Sequence, residues 1–414
     1  MRVDVAIVGA GAAGIAAARW LRANGASALV LEARDRVGGR AHTDHSTFGM
    51  PLDCGCAWLH SAEQNPWTAI AREQGFTVIE RLPDWRRRIG GRTPSPEQGA
   101  AIGSALERNF TLIFAAASAG RDVAVSELIP DDEVRPQFDA IMTWYLGIES
   151  DSVSSLDVAR FEDTEINWAV SEGLGSVVAR AAEGLDVHLR AAVDAIDWSN
   201  QGVALHCSSG RIDASVVIVT APTTTLAEGC IRFQPALPVT LQQALHAVPL
   251  GFANKVFFRM APGALPYEGT THFIGTSASS HTGSYAVRPG GQEVLLGYFG
   301  GRFARDLEQG GELEAFAREE LRGIFGRAFE QQIRDSLTVG WSQDPWSRGS
   351  YSAARPGCAH MREVLAQPVA ERLFFAGEAC SVEHFGTING AWESGQCAAA
   401  RALQVVRRAA HGPS

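Results

Sequence analysis

The chain has 414 residues, 46% of them hydrophobic and 20% charged, with a formal net charge of −10. That is an ordinary globular composition, long enough for two domains, and no apolar run is long enough to cross a bilayer. There is no basic stripe of the kind that binds nucleic acid, so the expectation is a protein with neither a membrane nor a nucleic-acid partner.

No basic leader precedes the first apolar segment, which predicts a cytoplasmic protein. The seven cysteines, at 54, 56, 207, 230, 358, 380 and 397, make no disulfide framework, and the pair Cys54 and Cys56 lacks the second pair that a zinc site needs, so no metal is expected. The charge is uneven. Between Asp122 and Glu172 there are 13 acidic residues and two basic ones, Arg135 and Arg160, a local balance of −11 that leaves +1 for the rest of the chain. Such a segment is either a solvated helical face or a field that draws a cationic substrate to a cleft.

Val3 to Val8 reads as a buried parallel strand. It is followed by Gly9, Gly11, Ala13 and Gly14 at the opening of an alanine-rich helix that stops at Asn24-Gly25, and then by a second strand, Ala28 to Glu32. This strand-turn-helix-strand unit with a terminal acid is a dinucleotide-binding pattern. Gly9 permits the tight turn, Gly11 lets backbone approach a pyrophosphate, and Gly14 lets helix and strand pack. The helix N-terminus offers free N–H groups to the phosphates, while Glu32, with Ala33 beside it, is placed for the ribose.

Arg34 to Arg40 then brings Gly38, Gly39 and Arg40 to the same phosphates. This run resembles the second half of the FAD signature of the flavin-containing amine oxidase superfamily. The similarity continues along the chain in the family's order. Asp53 to His60, including Gly55, Cys56, Ala57 and Trp58, resembles the stretch that lies against the isoalloxazine ring. Glu172 to Ser176 resembles a glycine-opened helix, and Leu185 to Val193 a strand that ends near the adenine. Val216 to Pro222 resembles the last strand before the chain leaves the FAD domain, and Trp341 to Ser352 the segment on which it returns. Leu373 to Glu378, with Gly377, and Gly386 to Gly395 resemble the C-terminal flavin motif.

The resemblance implies an α/β protein with a Rossmann-like FAD-binding domain of glutathione-reductase type, formed by 1–80, 173–245 and 338–414. A discontinuous mixed-sheet α+β substrate domain would comprise 81–172 and 246–337, in an amine oxidase fold. It also implies that Arg40 meets the diphosphate or ribityl region, Glu378 the ribityl chain, and the backbone at Thr387 and Ile388 the pyrimidine edge. The last of these agrees with the helix that starts near Gly390, because a helix N-terminus favours the negative charge of reduced flavin.

One of the 36 basic residues is a lysine, Lys255. Either an arginine-rich composition spared one lysine, or the position needs a compact ammonium that can lose its proton. Lys255 falls where the family places a lysine that holds a water at flavin N5, which makes it the first catalytic candidate. His60 matches a histidine of the polyamine-oxidising branch, where a neutral imidazole can accept a hydrogen bond from the substrate nitrogen; a purely structural histidine is the alternative.

Two departures narrow the subclass. Arg355 is matched to the cysteine that tethers FAD in vertebrate-type monoamine oxidases, and Thr387 to one of their two substrate tyrosines. Non-covalent FAD is therefore expected, with Cys358 nearby, and any aromatic cage must draw on Trp346, Tyr351, Phe385 or Trp392. The expected activity is hydride transfer from an amine to flavin N5, followed by reoxidation by O2 to H2O2 and hydrolysis of the imine to an aldehyde. A polyamine or secondary amine is favoured, with Glu149, Glu162, Asp163 and Glu165 as candidate anchors. A primary monoamine or alkaloid-like amine is the alternative, and a carotenoid or protoporphyrinogen desaturase a further one. The sequence does not encode a readable oligomeric state.

Overall fold

The computed structural model describes residues 2–81 and 88–411. Residue 1, residues 82–87 and residues 412–414, which belong to the expected segments 1–80, 81–172 and 338–414, lie outside the described residues. An eight-stranded sheet is centred on Arg2–Val8, which pairs in parallel with Ala28–Leu31 on one side and Gly210–Val219 on the other. The outer strands are Val187–His188 at one edge and Val203–Cys207, Val193–Asp197 and Arg232–Gln234 towards the other. Leu373–Phe375 joins in parallel on Gly210–Val219.

The near-continuous apolar runs of the central strands follow from burial on both faces. Val5, Ile7 and Val30 pack against helices Ala12–Ala23 and Ile388–His411, while Ala6, Val8, Leu29 and Leu31 pack against a layer containing Leu241 and Leu245. A Cβ at Gly395 would stand 2.2 Å from the Ala13 carbonyl oxygen, so the two helices meet backbone to backbone.

The second sheet has the order Thr271–Ile274, Ser284–Val287, Val294–Gly300, Ala253–Met260, Ile333–Val339. Its named strands all pair antiparallel, and a parallel bridge between Ile89 and Ile274 extends one edge. Strand alternation divides its two faces. Val256, Phe258, Leu295 and Phe299 pack on helices Gly301–Gly310 and Leu313–Phe325. Helices Pro96–Ser118, Arg135–Leu146 and Ser155–Arg160 contribute to a separate cluster around Phe138 and Met142.

All strands of the large sheet lie within 1–80, 173–245 and 338–414, and the strand Ile333–Val339 straddles the division expected at 338. The single strand read at 185–193 is two, Val187–His188 and Val193–Asp197. Arg190 between them turns left-handed at φ 55°, and the backbone N–H groups of Arg190 and Ala191 donate to the carbonyls of Arg34 and Glu32. The helix expected near Gly390 begins at Ile388. Among the described residues no helix is long and apolar enough to cross a membrane, and no cluster of side chains fits a metal ion.

Candidate active site

A cavity of about 1190 Å³ runs between the two sheets, and its wall carries every expected cofactor-binding residue except Gly14. This exceeds the roughly 300–1,000 Å³ of a pocket for one drug-sized molecule. There is room for a dinucleotide and a second small molecule.

Gly14 acts behind the wall. A Cβ there would lie 1.9 Å from the Gly9 carbonyl oxygen, so the glycine fixes the turn without facing the cavity. Gly9 has φ +101°, a conformation that favours glycine. Gly11 differs: a Cβ at this residue would meet only the Gly38 carbonyl oxygen, at 3.9 Å, and at Gly377 it would meet nothing within 4 Å. Both therefore leave a gap on the cavity wall, as a cradle for a large ligand requires. Glu32 is buried and clamped, with Oε2 accepting from Ala10 N at 2.7 Å and Oε1 from Arg34 N at 2.8 Å. The Arg34 guanidinium binds Asp344 and Ser347, and its Nε is buried with no hydrogen-bond partner among the described residues. These open backbones, the oriented acid and the unspent donor fit a dinucleotide.

Further along, Arg40 donates to Glu378 Oε1 at 2.8 Å and to the Ser350 carbonyl at 2.5 Å. Glu378 Oε2 accepts from the Ser352 hydroxyl and from Gly386 N. Burial alone would raise the Glu378 carboxyl, yet Arg40, Ser352 and Arg362 bring it below the ordinary carboxylate value. Trp341 is buried, and its backbone N–H donates to Asn254 Oδ1 at 3.4 Å.

Lys255 sits on Ala253–Met260 with Ala253 and Phe257, the alternate residues that face the cavity. Nζ donates to the carbonyls of Asp53 and Gly55, both at 2.7 Å, which ties the strand to the Asp53–Trp58 loop. Burial pushes its ammonium below the ordinary lysine value, against the pull of Asp53. The Asp53 carboxyl is itself raised by burial, although Thr43, Lys255 and the N–H groups of Leu174 and Gly175 oppose that shift.

His60 Nδ1 lies 2.6 Å from Asn167 Oδ1 and 4.0 Å from Asp163 Oδ2. Burial holds its pKa below the ordinary histidine value, while Asp163 and Asn167 pull the other way. The ring is thus neutral near pH 7. With the Nδ1 proton on Asn167 Oδ1, Nε2 is left as an acceptor.

Some expected partners lie elsewhere. Glu149 binds Arg302 through its carboxylate, Glu162 is not on the cavity wall, and only Asp163 and Glu165 of the four acids are, joined by Glu107. Much of the acidic segment is spent on structure: Asp157 forms a buried pair with Arg362 at 2.6 and 2.8 Å, Asp139 binds Arg135 and Ser150, and Asp132 binds Arg108. Trp392 is a core residue, packed edge-on against Trp67 at 4.8 Å, whereas Trp346, Tyr351 and Phe385 do line the cavity. Arg355 is exposed and off the wall, and Cys358 is half-buried and also off it; the nearby wall residues are Ser350 and Tyr351.

The Thr387 hydroxyl caps the Ile388–His411 helix, accepting from Gly390 N at 3.1 Å and donating to the His384 carbonyl at 2.6 Å. Sequence reasoning missed Asn167 and Tyr298. Alternation in Val294–Gly300 puts Val294, Leu296 and Tyr298 on one face, a signal available in the sequence, but only the pairing with Lys255's strand gives that face its meaning.

Fold and cavity together define a dinucleotide-binding protein with room for a second small molecule beside the dinucleotide. Residues 134–403 match the profile of the flavin containing amine oxidoreductase family, and residues 7–74 match an NAD(P)-binding Rossmann-like domain. Polyamine oxidase 3 of Oryza sativa subsp. japonica is 29% identical over 430 residues, covering 95% of this chain and 87% of that protein. Wild-type putrescine oxidase bound to putrescine has the same fold, with a TM-score of 0.81 at 23% identity over 99% of this chain and 100% of that one. Cyclohexylamine oxidase from Brevibacterium oxydans gives 0.80 at 24% identity, over 98% and 100%. The chain belongs to the flavin containing amine oxidoreductase family. It is an FAD-dependent amine oxidoreductase with an amine oxidase fold.

Proposed function

We propose that this chain oxidises a secondary amine or polyamine, holds FAD without a covalent bond, and uses O2 as acceptor. The observation that carries this reading is the single cavity whose wall joins the Gly9–Gly11 turn, Lys255 with His60, and the acids Glu107, Asp163 and Glu165. The similarity to polyamine oxidases supports it. When bound, FAD supplies the hydride acceptor for the carbon beside the amine nitrogen and passes its electrons to O2, giving H2O2.

The chain's own residues have separable tasks. Gly9 and Gly11 with the N–H groups of the first helix take the pyrophosphate, joined by Gly38, Gly39 and Arg40, while Gly14 holds the turn from behind. Glu32, Ala33, Arg34 and Val193 hold the adenosine end, Gly377 and Glu378 the ribityl chain, and Thr387 and Ile388 the pyrimidine edge. Gly55, Cys56, Ala57, Trp58 and Trp341 surround the ring system. The FAD-binding domain is 1–80, 173–245 and 338–414, and the remaining segments form the substrate domain.

With two N–H groups spent on carbonyls, Lys255 has one remaining position on nitrogen with which to hold a water. His60 accepts an N–H of the substrate, and the acids attract its second positive charge. The oxidised product is an imine that water hydrolyses to an aldehyde. Anaerobic mixing of the yellow holoprotein with polyamines, monoamines and amino acids tests this: polyamines or secondary amines should bleach the flavin fastest. Bleaching by amino acids alone would defeat the reading, and acid precipitation that leaves flavin on the protein would defeat the non-covalent part.

A further inference from the structure

We infer that Tyr298 orients the substrate, its phenolic oxygen accepting a hydrogen bond from an N–H of the bound amine, so that the cavity favours amines carrying one. The inference rests on the amine reading above and goes further, to a residue outside the pattern recognised in the sequence.

Tyr298 stands directly across the strand pair from Lys255, the register running Lys255 to Tyr298 and Phe257 to Leu296. Directly opposed residues of paired strands project from the same face, and all four line the cavity. The wall thus has one polar rung, Lys255 and Tyr298, beside an apolar one.

Proton counting fixes what Tyr298 offers. Its hydroxyl lies 2.8 Å from that of Tyr351, which donates to the Trp144 carbonyl at 2.8 Å. A phenol has one proton and two acceptor sites. Tyr351 has spent its proton on Trp144, so the proton between the two phenols belongs to Tyr298. The relay runs from Tyr298 through Tyr351 to a backbone carbonyl, and Tyr298 faces the cavity as an acceptor only.

Burial raises the Tyr298 phenol to about 12 and the Tyr351 phenol well above its ordinary value. Both remain neutral wherever the enzyme is assayed, so the relay keeps its direction. An acceptor beside Lys255, with His60 Nε2 on the same cavity wall, grips an amine by its N–H groups and leaves its carbon free.

The test uses holoprotein and two probes that are not oxidised: tert-butylamine, whose carbon beside the nitrogen bears no hydrogen, and its trimethylammonium counterpart, whose quaternary nitrogen has no lone pair with which to form an imine. At neutral pH both are cations, but only the first has N–H groups. Calorimetric titration of the parent should show tert-butylamine binding roughly tenfold tighter or more, the scale of one hydrogen bond to a charged group. Tyr298→Phe should narrow that ratio severalfold, leaving what His60 contributes, with thermal unfolding and flavin absorption unchanged.

Tyr351→Phe frees the Tyr298 proton to turn into the cavity. It should narrow the ratio as well, and the double variant should lose no more than Tyr298→Phe alone. A Tyr298→Phe protein that keeps the parent's ratio, or a parent that binds both probes equally, overturns the inference. A parent that binds neither probe while polyamines still bleach its flavin also overturns it, and one that polyamines do not bleach either overturns the amine reading with it.

Discussion

The wall that carries Gly9, Gly11 and Glu32 is made of backbone and of side chains that bind backbone, whereas the wall that carries Lys255 and Tyr298 is made of alternate side chains on two paired strands. The first selects residues by what they lack. A Cβ is excluded at Gly14 by the Gly9 carbonyl, and one at Gly11 would fill ligand space. The second selects residues by what they present, and its geometry depends on partners 43 positions apart in the chain, Lys255 and Tyr298. One wall therefore shows in local spacing and the other only in register.

The largest effect that separates them comes from two alanines three residues apart. Gly14→Ala puts a methyl 1.9 Å from a buried carbonyl oxygen and should cost about 3 kcal/mol or more, with loss of both fold and flavin. Gly11→Ala has φ −77°, which alanine adopts freely, and its nearest protein neighbour at 3.9 Å. The apoprotein should unfold within about 0.5 kcal/mol of the parent while FAD affinity falls at least roughly tenfold. Equal FAD affinity in Gly11→Ala would show that this wall is structural alone.

On the other wall, Lys255→Met leaves the Asp53 and Gly55 carbonyls without their donor. Stopped-flow flavin reduction by amine, or reoxidation by O2, should slow by roughly 100-fold or more if Lys255 handles a proton or its water. Stability should fall by about 1–3 kcal/mol for the unpaired buried carbonyls. Parental rates in both half-reactions would leave Lys255 only its structural role.

Two histidines are depressed by burial, His42 off the cavity wall and His60 on it, and acid should affect them differently. Burial, with help from Arg36, lowers His42 from 6.5 to about 4. The unfolded chain takes up the proton first as pH falls below 6.5, so the folded state loses stability through that window and the loss is complete near pH 4. The loss is at most about 3 kcal/mol. His60 is also depressed by burial, and its protonation removes the acceptor proposed for the amine. His42→Phe should flatten the acid loss of stability and keep the pH profile of amine binding, whereas His60→Gln should flatten the binding profile. Denaturant titrations and calorimetry at a series of pH values would show whether the two effects part in this way.

How much was legible in the sequence follows the same division. Gly9, Gly11, Gly14 and Glu32 stand within 24 residues of one another, and their roles depend on local turns, so spacing alone announces them. Lys255 was visible through its rarity and a family resemblance, but its two carbonyl partners lie about 200 residues earlier and no pattern in the chain points to them. The acidic segment was visible as composition and opaque as function, because whether an acid meets a buried arginine, as Asp157 meets Arg362, or lines a cavity, as Asp163 does, is decided by tertiary neighbours. Arg355 was misplaced for a related reason. A backbone that returns to the cavity for only a few residues, here Trp346 to Tyr351, allows no error in register.

The smallest predicted effect concerns Thr387, matched in the sequence to a substrate tyrosine. Its hydroxyl is turned into the helix, where it caps Gly390 N and ties back to His384, so the side chain serves the N-terminus and only the residue's outer surface meets the cavity. Thr387→Val keeps the shape and loses the cap, which costs about 1 kcal/mol, while Thr387→Ser keeps both hydrogen bonds and should cost less. Because Ile388 and Asn389 present their N–H groups at that end of the helix, a frayed first turn should weaken FAD binding slightly and leave the order of preferred amines unchanged. A changed amine preference in Thr387→Val, with flavin content intact, would return Thr387 to the substrate wall and show that the two walls share this residue.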